Sequence, residues 1–257
     1  MDLGLAGRTA IVCASTSGLG EATARALAAE GARVVVSGRR AERAGSIAAE
    51  LPDAVGVGVD LTDPEGPDTL VARATEAFGP VDVLVLNSGG PPPSTAASID
   101  ADAIGKALVP LLYAQQRLVS LVLPGMRERG WGRILGVGSV GVVAPIPGLA
   151  LSNIGRAALA GYLKTLATEV APDGVTVNEL LPGRIATART AQVDAHQADR
   201  EGADVDAVEA RNVAGIPAGR YGRAAEFGAV AAFLCSDVAS YVTGTAVRCD
   251  GGLVASL

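Results

Sequence analysis

The sequence predicts an α/β fold in which helices flank a doubly wound, mainly parallel sheet of seven strands. Short apolar runs of strand length alternate with longer helix-forming segments along the whole 257-residue chain. A turn of small residues joins the first apolar run to the first helix-forming segment. No linker or internal repeat is visible, so residues 1–257 are interpreted as one domain.

The predicted elements alternate in chain order, which is the pattern of parallel strands joined by crossover helices. The predicted strands are Thr9–Val12, Arg33–Ser37, Val55–Val59, Val81–Leu86, Arg133–Gly138, Val175–Leu181 and Ala246–Cys249. The predicted helices are Glu21–Glu30, residues 41–50, Pro64–Phe78, Asp102–Arg129, Leu151–Ala171 and Ala224–Ser236. Residues 184 to about 222 are polar and weakly patterned, and a segment of that length is typical of a functional lid or of a flexible segment.

The turn between the first strand and the first helix indicates a phosphate-binding function. Its residues are Cys13, Ala14, Ser15, Thr16, Ser17, Gly18, Leu19 and Gly20. Gly18 and Gly20 lack the side chains that would keep a pyrophosphate from the backbone, and a helix N-terminus favours an anion. The three hydroxyl side chains of the turn could bind phosphate or ribose. A glycine turn without a ligand is the alternative when the motif is taken alone.

Composition excludes several other functions. The net charge of −6 argues against a nucleic-acid surface. The odd number of cysteines, without metal-ligand spacing, argues against a disulfide framework and a metal site. The N-terminus has no signal-peptide pattern, and the apolar span from Leu108 to Met126 is interrupted by Pro110 and polar residues. We therefore expect a cytoplasmic protein that binds neither nucleic acid nor a membrane.

In doubly wound sheets, ligands bind beyond the carboxyl ends of the strands. These ends are Ser15–Gly20, Ser37–Arg40, Asp60–Leu61, Asn87–Gly90, Ser139 and Pro182–Thr187, and we expect them to line one cleft.

Together these strand ends resemble the short-chain dehydrogenase/reductase family over almost the whole chain. The first turn matches the family's Thr-Gly-x-x-x-Gly-x-Gly motif except at its first two positions, Cys13 and Ala14. Asn87–Gly90 is loosely similar to the family's Asn-Asn-Ala-Gly, and Pro182 and Gly183 match its Pro-Gly. Residues 233–252 resemble the C-terminal signature of 3-oxoacyl-acyl-carrier-protein reductases. The resemblance implies a Rossmann-type fold and a nicotinamide cofactor.

The resemblance also implies a set of cofactor contacts along the predicted cleft. They are Ser15, Thr16, Ser17, Gly18, Leu19, Gly20, Arg39, Arg40, Asp60, Leu61, Asn87, Ser88, Gly89, Pro182, Gly183, Ile185 and Thr187. Ile185 and Thr187 stand where the family contacts the nicotinamide amide. Arg39 and Arg40 stand where an acidic residue would bind a ribose 2′-hydroxyl. Arginine there suits a 2′-phosphate and predicts NADP(H) over NAD(H), a solvated basic pair being the alternative.

The catalytic positions depart from the family's pattern. Ser139 matches the family's Ser, but Ser152 and Arg156 occupy the positions of its Tyr and Lys, and no Asn occurs near Pro110. A serine hydroxyl is a far weaker acid than tyrosine, and arginine does not release its proton in the working range. We expect Ser139 to orient the substrate oxygen, Ser152 to add a hydroxyl and Arg156 to supply charge. A bound water or the substrate would then provide the proton.

Three functions remain open. The first is an atypical NADP(H)-dependent oxidoreductase that interconverts a carbonyl and an alcohol of a small molecule, similar to 3-oxoacyl reductases. The second is a non-redox enzyme on the same scaffold, resembling the halohydrin dehalogenases. The third is a non-catalytic NADP(H)-binding sensor or subunit.

Other side chains are weaker candidates. His196 is predicted to be a surface residue of the lid. Tyr113, Tyr162 and Tyr221 could replace the missing acid, although Tyr113 and Tyr162 are predicted to pack in helices. Residues 108–126 and 151–171 carry more apolar side chains than one buried face needs. Since the family pairs these helices across an interface, we expect a homotetramer or homodimer.

Overall fold

Seven parallel strands form the central sheet of the computed structural model, which describes residues 1–256. The strands of the chain are β1 Thr9–Val12, β2 Arg33–Gly38, β3 Ala54–Gly58, β4 Val83–Leu86, β5 Gly132–Val137, β6 Val175–Pro182, β7 Ile185–Ala186, β8 Gly222–Arg223 and β9 Ala246–Cys249. The sheet has the order β3-β2-β1-β4-β5-β6-β9. The chain thus adds β2 and β3 on one side of β1 and the later strands on the other side, beginning with β4. This order confirms the predicted doubly wound, Rossmann-type fold.

Nine α-helices accompany the strands within residues 1–256. They are α1 Gly18–Ala29, α2 Ala41–Ala49, α3 Gly66–Phe78, α4 Ala101–Leu108, α5 Ala114–Glu128, α6 Ala150–Val170, α7 Ala188–Glu201, α8 Val205–Ala214 and α9 Ala224–Leu234. One core lies between the sheet and α1, α2 and α9, around Leu27 and Phe227. A second core lies between the sheet and α3, α5 and α6, around Leu118 and Leu163. Each face of the sheet is therefore covered by helices, and the strand ends are left open.

The predicted long helix from Asp102 to Arg129 is interrupted. Val109–Tyr113 forms a π-helical turn between α4 and α5. Pro110 lies in this turn and has no N–H to donate, and its ring disfavours regular α-helical packing. By length and composition, the stretch Ala101–Glu128 is long and apolar enough to cross a membrane. Its inner face, which includes Leu118 and Val122, is buried in the second core.

The predicted lid is more ordered than its sequence indicates. Residues 185–223 form α7 and α8, framed by the short parallel pair β7 and β8. Thr187 caps α7 through the N–H of Thr190 at 3.3 Å. Helix α7 buries only Asp194 and Ala198, which is too small an apolar stripe to reveal a helix by periodicity. The Asp194 carboxylate holds the segment together, because it accepts hydrogen bonds from Arg184, Asn212 and Tyr221.

Candidate active site

The strand ends open on one cleft of about 1800 Å³. This volume exceeds that of an ordinary ligand pocket, so a dinucleotide and a substrate can share it. The predicted site residues that line the cleft are Thr16, Ser17, Gly18, Leu19, Arg39, Arg40, Asp60, Leu61, Asn87, Ser88, Gly89, Ser139, Ser152, Arg156, Pro182, Gly183, Ile185 and Thr187. Ser15 and Gly20 lie outside this lining.

Ser15 and Gly20 shape the first turn and do not face the cleft. The fully buried Ser15 hydroxyl donates to the Val12 carbonyl at 2.7 Å and accepts from the Ser37 N–H at 2.9 Å. This hydroxyl ties β1 to β2, so it is not placed to bind phosphate or ribose as expected. A Cβ on Gly20 would lie 2.4 Å from the Ala14 carbonyl oxygen. Gly20 therefore lets the helix approach the turn, and its contact with the cofactor stays a prediction.

The rest of the turn forms a cradle for an anion. Ser17 precedes α1 in extended conformation, and within the described residues its side chain caps no backbone N–H. The first N–H groups of the helix are thus left to a ligand. Gly18 has a φ of 58°, in the left-handed region that glycine adopts readily. Asn87 Nδ2 donates to the carbonyls of Cys13 at 3.2 Å and Ala14 at 3.3 Å, which fixes the turn. These features fit the diphosphate of a dinucleotide.

The two arginines at the far end of the cleft are in different environments. Arg39 is exposed and makes no ion pair within residues 1–256. Arg40 donates through Nη2 to the Thr16 carbonyl at 3.1 Å. The Asp60 carboxylate accepts from the N–H and hydroxyl of Thr62, and these hydrogen bonds lower its pKa. Arg39 is therefore the more available cation for an incoming phosphate, and Arg40 braces the turn.

Ser139, Ser152 and Arg156 meet at the other end of the cleft. The Ser139 oxygen accepts from the Gly141 N–H at 3.0 Å, which leaves its O–H to donate. Arg156 Nη1 donates to the Val137 carbonyl at 2.6 Å, so the guanidinium is anchored at the end of β5. Burial lowers the pKa of Arg156 to about 10, and it remains protonated at neutral pH. The arrangement presents two hydroxyls and a fixed positive charge.

Glu179 is a buried acid near this site that the sequence analysis did not single out. It lies on β6 opposite Gly136 of β5, and a Cβ on Gly136 would approach its Cγ to 3.2 Å. Its Oε1 has no hydrogen-bond partner in the described part of the chain. Burial raises the pKa of the Glu179 carboxyl to about 7, against the opposing effect of the positive charge of Arg156. In the sequence, the signal that could have identified Glu179 is a single acidic residue within a mostly apolar predicted strand.

The Glu179 carboxyl should make stability depend on pH. Because its pKa is raised from 4.5 to about 7 in the folded chain, its stabilising contribution is complete below pH 4.5 and is lost as pH rises through 7. Relative to Glu179→Gln, the parent should lose on the order of 3 kcal/mol of unfolding free energy across that window. Urea unfolding at pH 5 and pH 8 measures the difference. An equal difference at both pH values would contradict the assignment.

No tyrosine among residues 1–256 lines the cleft. The Tyr221 hydroxyl donates to Asp194 Oδ2 at 2.8 Å, and burial together with this bond raises the pKa of Tyr221. Tyr113 is 55% exposed, and Tyr162 packs against the second core. His196 is exposed on α7, outside the lining. The structure therefore brings none of these four side chains to Ser139 and Arg156.

Comparison with known proteins places this architecture among reductases. Residues 13–254 match the family described as Enoyl-(Acyl carrier protein) reductase. The chain is 33% identical over 251 residues to 3-oxoacyl-acyl-carrier-protein reductase FabG of Haemophilus influenzae, covering 97% of this chain and 99% of that protein. It is 36% identical over 262 residues to dehydrogenase/reductase SDR family member 4 of Sus scrofa, covering 98% and 89%.

A solved structure shows the same likeness. The L-sorbose reductase of Gluconobacter frateurii, complexed with NADPH and L-sorbose, superposes with a TM-score of 0.93. The identity is 33%, and the comparison covers 100% of both chains.

Proposed function

Because this chain belongs to the short-chain dehydrogenase/reductase family, we propose that it is an NADP(H)-dependent oxidoreductase that interconverts a carbonyl and an alcohol. The observation that carries the proposal is one cleft with a diphosphate cradle at Ser17–Leu19 and the Ser139, Ser152 and Arg156 side chains at its other end. Bound NADPH would supply the hydride for reduction. Related proteins that reduce carbonyls with this cofactor support the assignment, including the L-sorbose reductase complex.

The site would act on the substrate oxygen by hydrogen bonding and charge. The Ser139 O–H would donate to that oxygen, with the Ser152 hydroxyl nearby. The guanidinium of Arg156 would stabilise the negative charge that develops on the oxygen during reduction, as fixed donors do in other enzymes. No tyrosine of residues 1–256 reaches the cleft, so a bound water would deliver the proton. This chemistry is the atypical part of the proposal.

Titration with NADPH and NADH, followed by a panel of carbonyl compounds with NADPH oxidation as readout, tests the proposal. Binding and carbonyl-dependent oxidation would support it. Binding without turnover of any compound would favour the non-catalytic sensor. Failure to bind either cofactor would overturn the oxidoreductase and the sensor, and would leave the non-redox enzyme.

The preference for NADPH is assigned to Arg39 and Arg40. Each lines the cleft beside Asp60, at the end where a 2′-phosphate would lie. Loss of a charge-assisted contact should cost about 1.5–3 kcal/mol of NADPH binding. The Arg39→Ala, Arg40→Ala double variant should therefore lose more affinity for NADPH than for NADH by calorimetry, since loss of the Arg40 contact with the turn affects both cofactors alike. Arg73→Ala, far from the cleft, is the control. An unchanged NADPH-to-NADH ratio would refute the assignment.

The oligomeric state is proposed to be a homotetramer or homodimer. Tyr113, between α4 and α5, is 55% exposed, and Ile154 on α6 is 37% exposed. A neighbouring subunit would cover such apolar side chains. Light scattering at micromolar concentration should give at least twice the mass of one chain. A monomeric mass would contradict the proposal.

A further inference from the structure

Two arginines without a carboxylate partner meet at the substrate end of the cleft. Arg156 comes from α6, and Arg189 comes from the first turn of α7. Arg189 Nη2 donates to the Pro91 carbonyl at 2.8 Å, and neither arginine has an ion-pair partner within 4.0 Å in residues 1–256. Burial lowers the pKa of Arg156 most, the nearby Glu179 carboxyl opposes this effect, and the charge of Arg189 lowers the pKa further. The buried Glu179 is the acid near Arg156, and its pKa of about 7 leaves it about half protonated at neutral pH, so the two arginines together carry a net positive charge.

The position of Arg189 is unfavourable unless an anion is bound. A cation in the first turn of a helix opposes the positive end of the helix dipole. The Arg189 side chain is half-buried, and this burial lowers its pKa. The backbone makes room for it, because a Cβ on Gly90 would lie 2.9 Å from Nη2. These features indicate a guanidinium that is placed for a ligand.

Other basic side chains at this end of the cleft are already neutralised. Arg184 pairs with Asp194 at 2.5 Å, and Lys106 pairs with Asp102 at 2.6 Å. Arg211 pairs with Glu201. The contrast shows that acidic partners are available in this region of the fold. Arg156 and Arg189 differ by facing the cleft unpaired.

We propose that the substrate carries a carboxylate that binds Arg189, with Arg156 between it and the reacting carbonyl. The substrate class is then a small oxo acid, or the hydroxy acid in the reverse direction. The planar guanidinium can hold a carboxylate through two parallel hydrogen bonds. This inference rests on the proposed function, because it names the substrate of the same site.

The diphosphate of the cofactor has a different place in the cleft. The cradle at Gly18 faces Thr187, whose Cγ2 would lie 3.6 Å from a Cβ on Gly18. Arg189 instead reaches Gly90 and the Pro91 carbonyl, beyond the end of β4. The segment after Pro91 leads to α6, where the Ser94 hydroxyl accepts from the Leu151 N–H at 3.2 Å beside Ser152, so the guanidinium lies on the side of the cleft where the substrate would bind.

The experiment compares four-carbon to six-carbon 2-oxo and 3-oxo acids with their amides. With NADP⁺ at saturation, calorimetry measures their binding to the parent and to Arg189→Met; with NADPH, kcat/KM is measured for the same compounds. At least one acid should bind the parent more tightly than its amide does. For that acid, Arg189→Met should reduce the affinity and kcat/KM about 10- to 100-fold. NADPH affinity should not change, and Arg189→Lys should recover part of the loss.

Arg200→Met removes an exposed charge from the same helix and is the matched control. Acids that bind the parent no better than their amides would overturn the inference, even if neutral carbonyls are reduced and the proposed function holds. A drop in NADPH affinity in Arg189→Met, equal to the drop for the acids, would also overturn it by assigning Arg189 to the cofactor. Acid binding lost in Arg189→Met without any turnover would support the inference and contradict the proposed reaction.

Discussion

Gly18→Val is expected to abolish NADPH binding and every NADPH-dependent activity. In the protein alone, a Cβ at this position meets only Thr187, at an ordinary contact distance of 3.6 Å. The added valine methyl groups would fill the space above the first N–H groups of α1, where the diphosphate would bind. Loss of two or more charge-assisted hydrogen bonds, at about 1.5–3 kcal/mol each, should raise the Kd at least about 100-fold. Calorimetric titration measures the change.

Backbone strain alone needs a separate control. Gly18 has a φ of 58°, and a β-branched residue is strained there. Gly130 has a φ of 64°, with no atom within 4 Å of a built Cβ, and lies outside the cleft. Gly130→Val should therefore lower stability by a similar amount and leave the NADPH affinity unchanged. If both variants bind NADPH as the parent does, the cradle is assigned to the wrong place.

Arg156→Met is expected to lower kcat about 100- to 1000-fold, the usual effect of losing one fixed donor at a developing oxyanion. NADPH binding should change far less. Arg156→Lys keeps the charge, but a single ammonium cannot anchor on the Val137 carbonyl and still present a planar fork to the substrate. Its kcat should lie between those of the parent and Arg156→Met. Steady-state kcat and KM at a fixed pH give the comparison.

Two further variants test whether a tyrosine side chain acts as the proton donor in this site. Tyr221→Phe should retain activity, because the Tyr221 hydroxyl is bonded to Asp194 outside the cleft. The double variant Ser152→Tyr, Arg156→Lys installs the family's usual pair on α6 and tests whether the scaffold supports ordinary carbonyl reduction. The contrary result is an inflection near pH 9 in the pH–rate profile of the parent that disappears in Tyr221→Phe together with the activity. Tyr221 would then supply the proton.

Features of the fold and the site that depend on residues close together in sequence were predictable. The alternation of apolar strands with helices predicted the sheet, because central strands such as β1 and β4 are buried on both faces. The turn at Gly18 was recognisable because a helix N-terminus and its glycines are neighbours in sequence. The short strands β7 and β8 and the lid helices were missed, since α7 buries few side chains and depends on Asp194.

The electrostatics of the site depend on contacts that the sequence does not display. Ser15 belongs to the motif, yet its hydroxyl is taken up by β1 and β2. Glu179 and Arg156 are 23 positions apart and are brought together only by the packing of α6 on β5 and β6. Arg189 reaches Pro91 across the cleft. Such side chains can be identified once the register of the strands and the course of the lid are known.

Carbonyl-dependent oxidation of NADPH by the parent protein, measured beside Gly18→Val, tests the assigned cofactor site and the proposed reaction together. We expect oxidation by the parent with at least one carbonyl compound, faster with NADPH than with NADH, and none by the variant. Oxidation by both proteins at the same rate would contradict the assigned cofactor site. No oxidation by the parent with any compound, together with no NADPH binding, would contradict the proposed oxidoreductase.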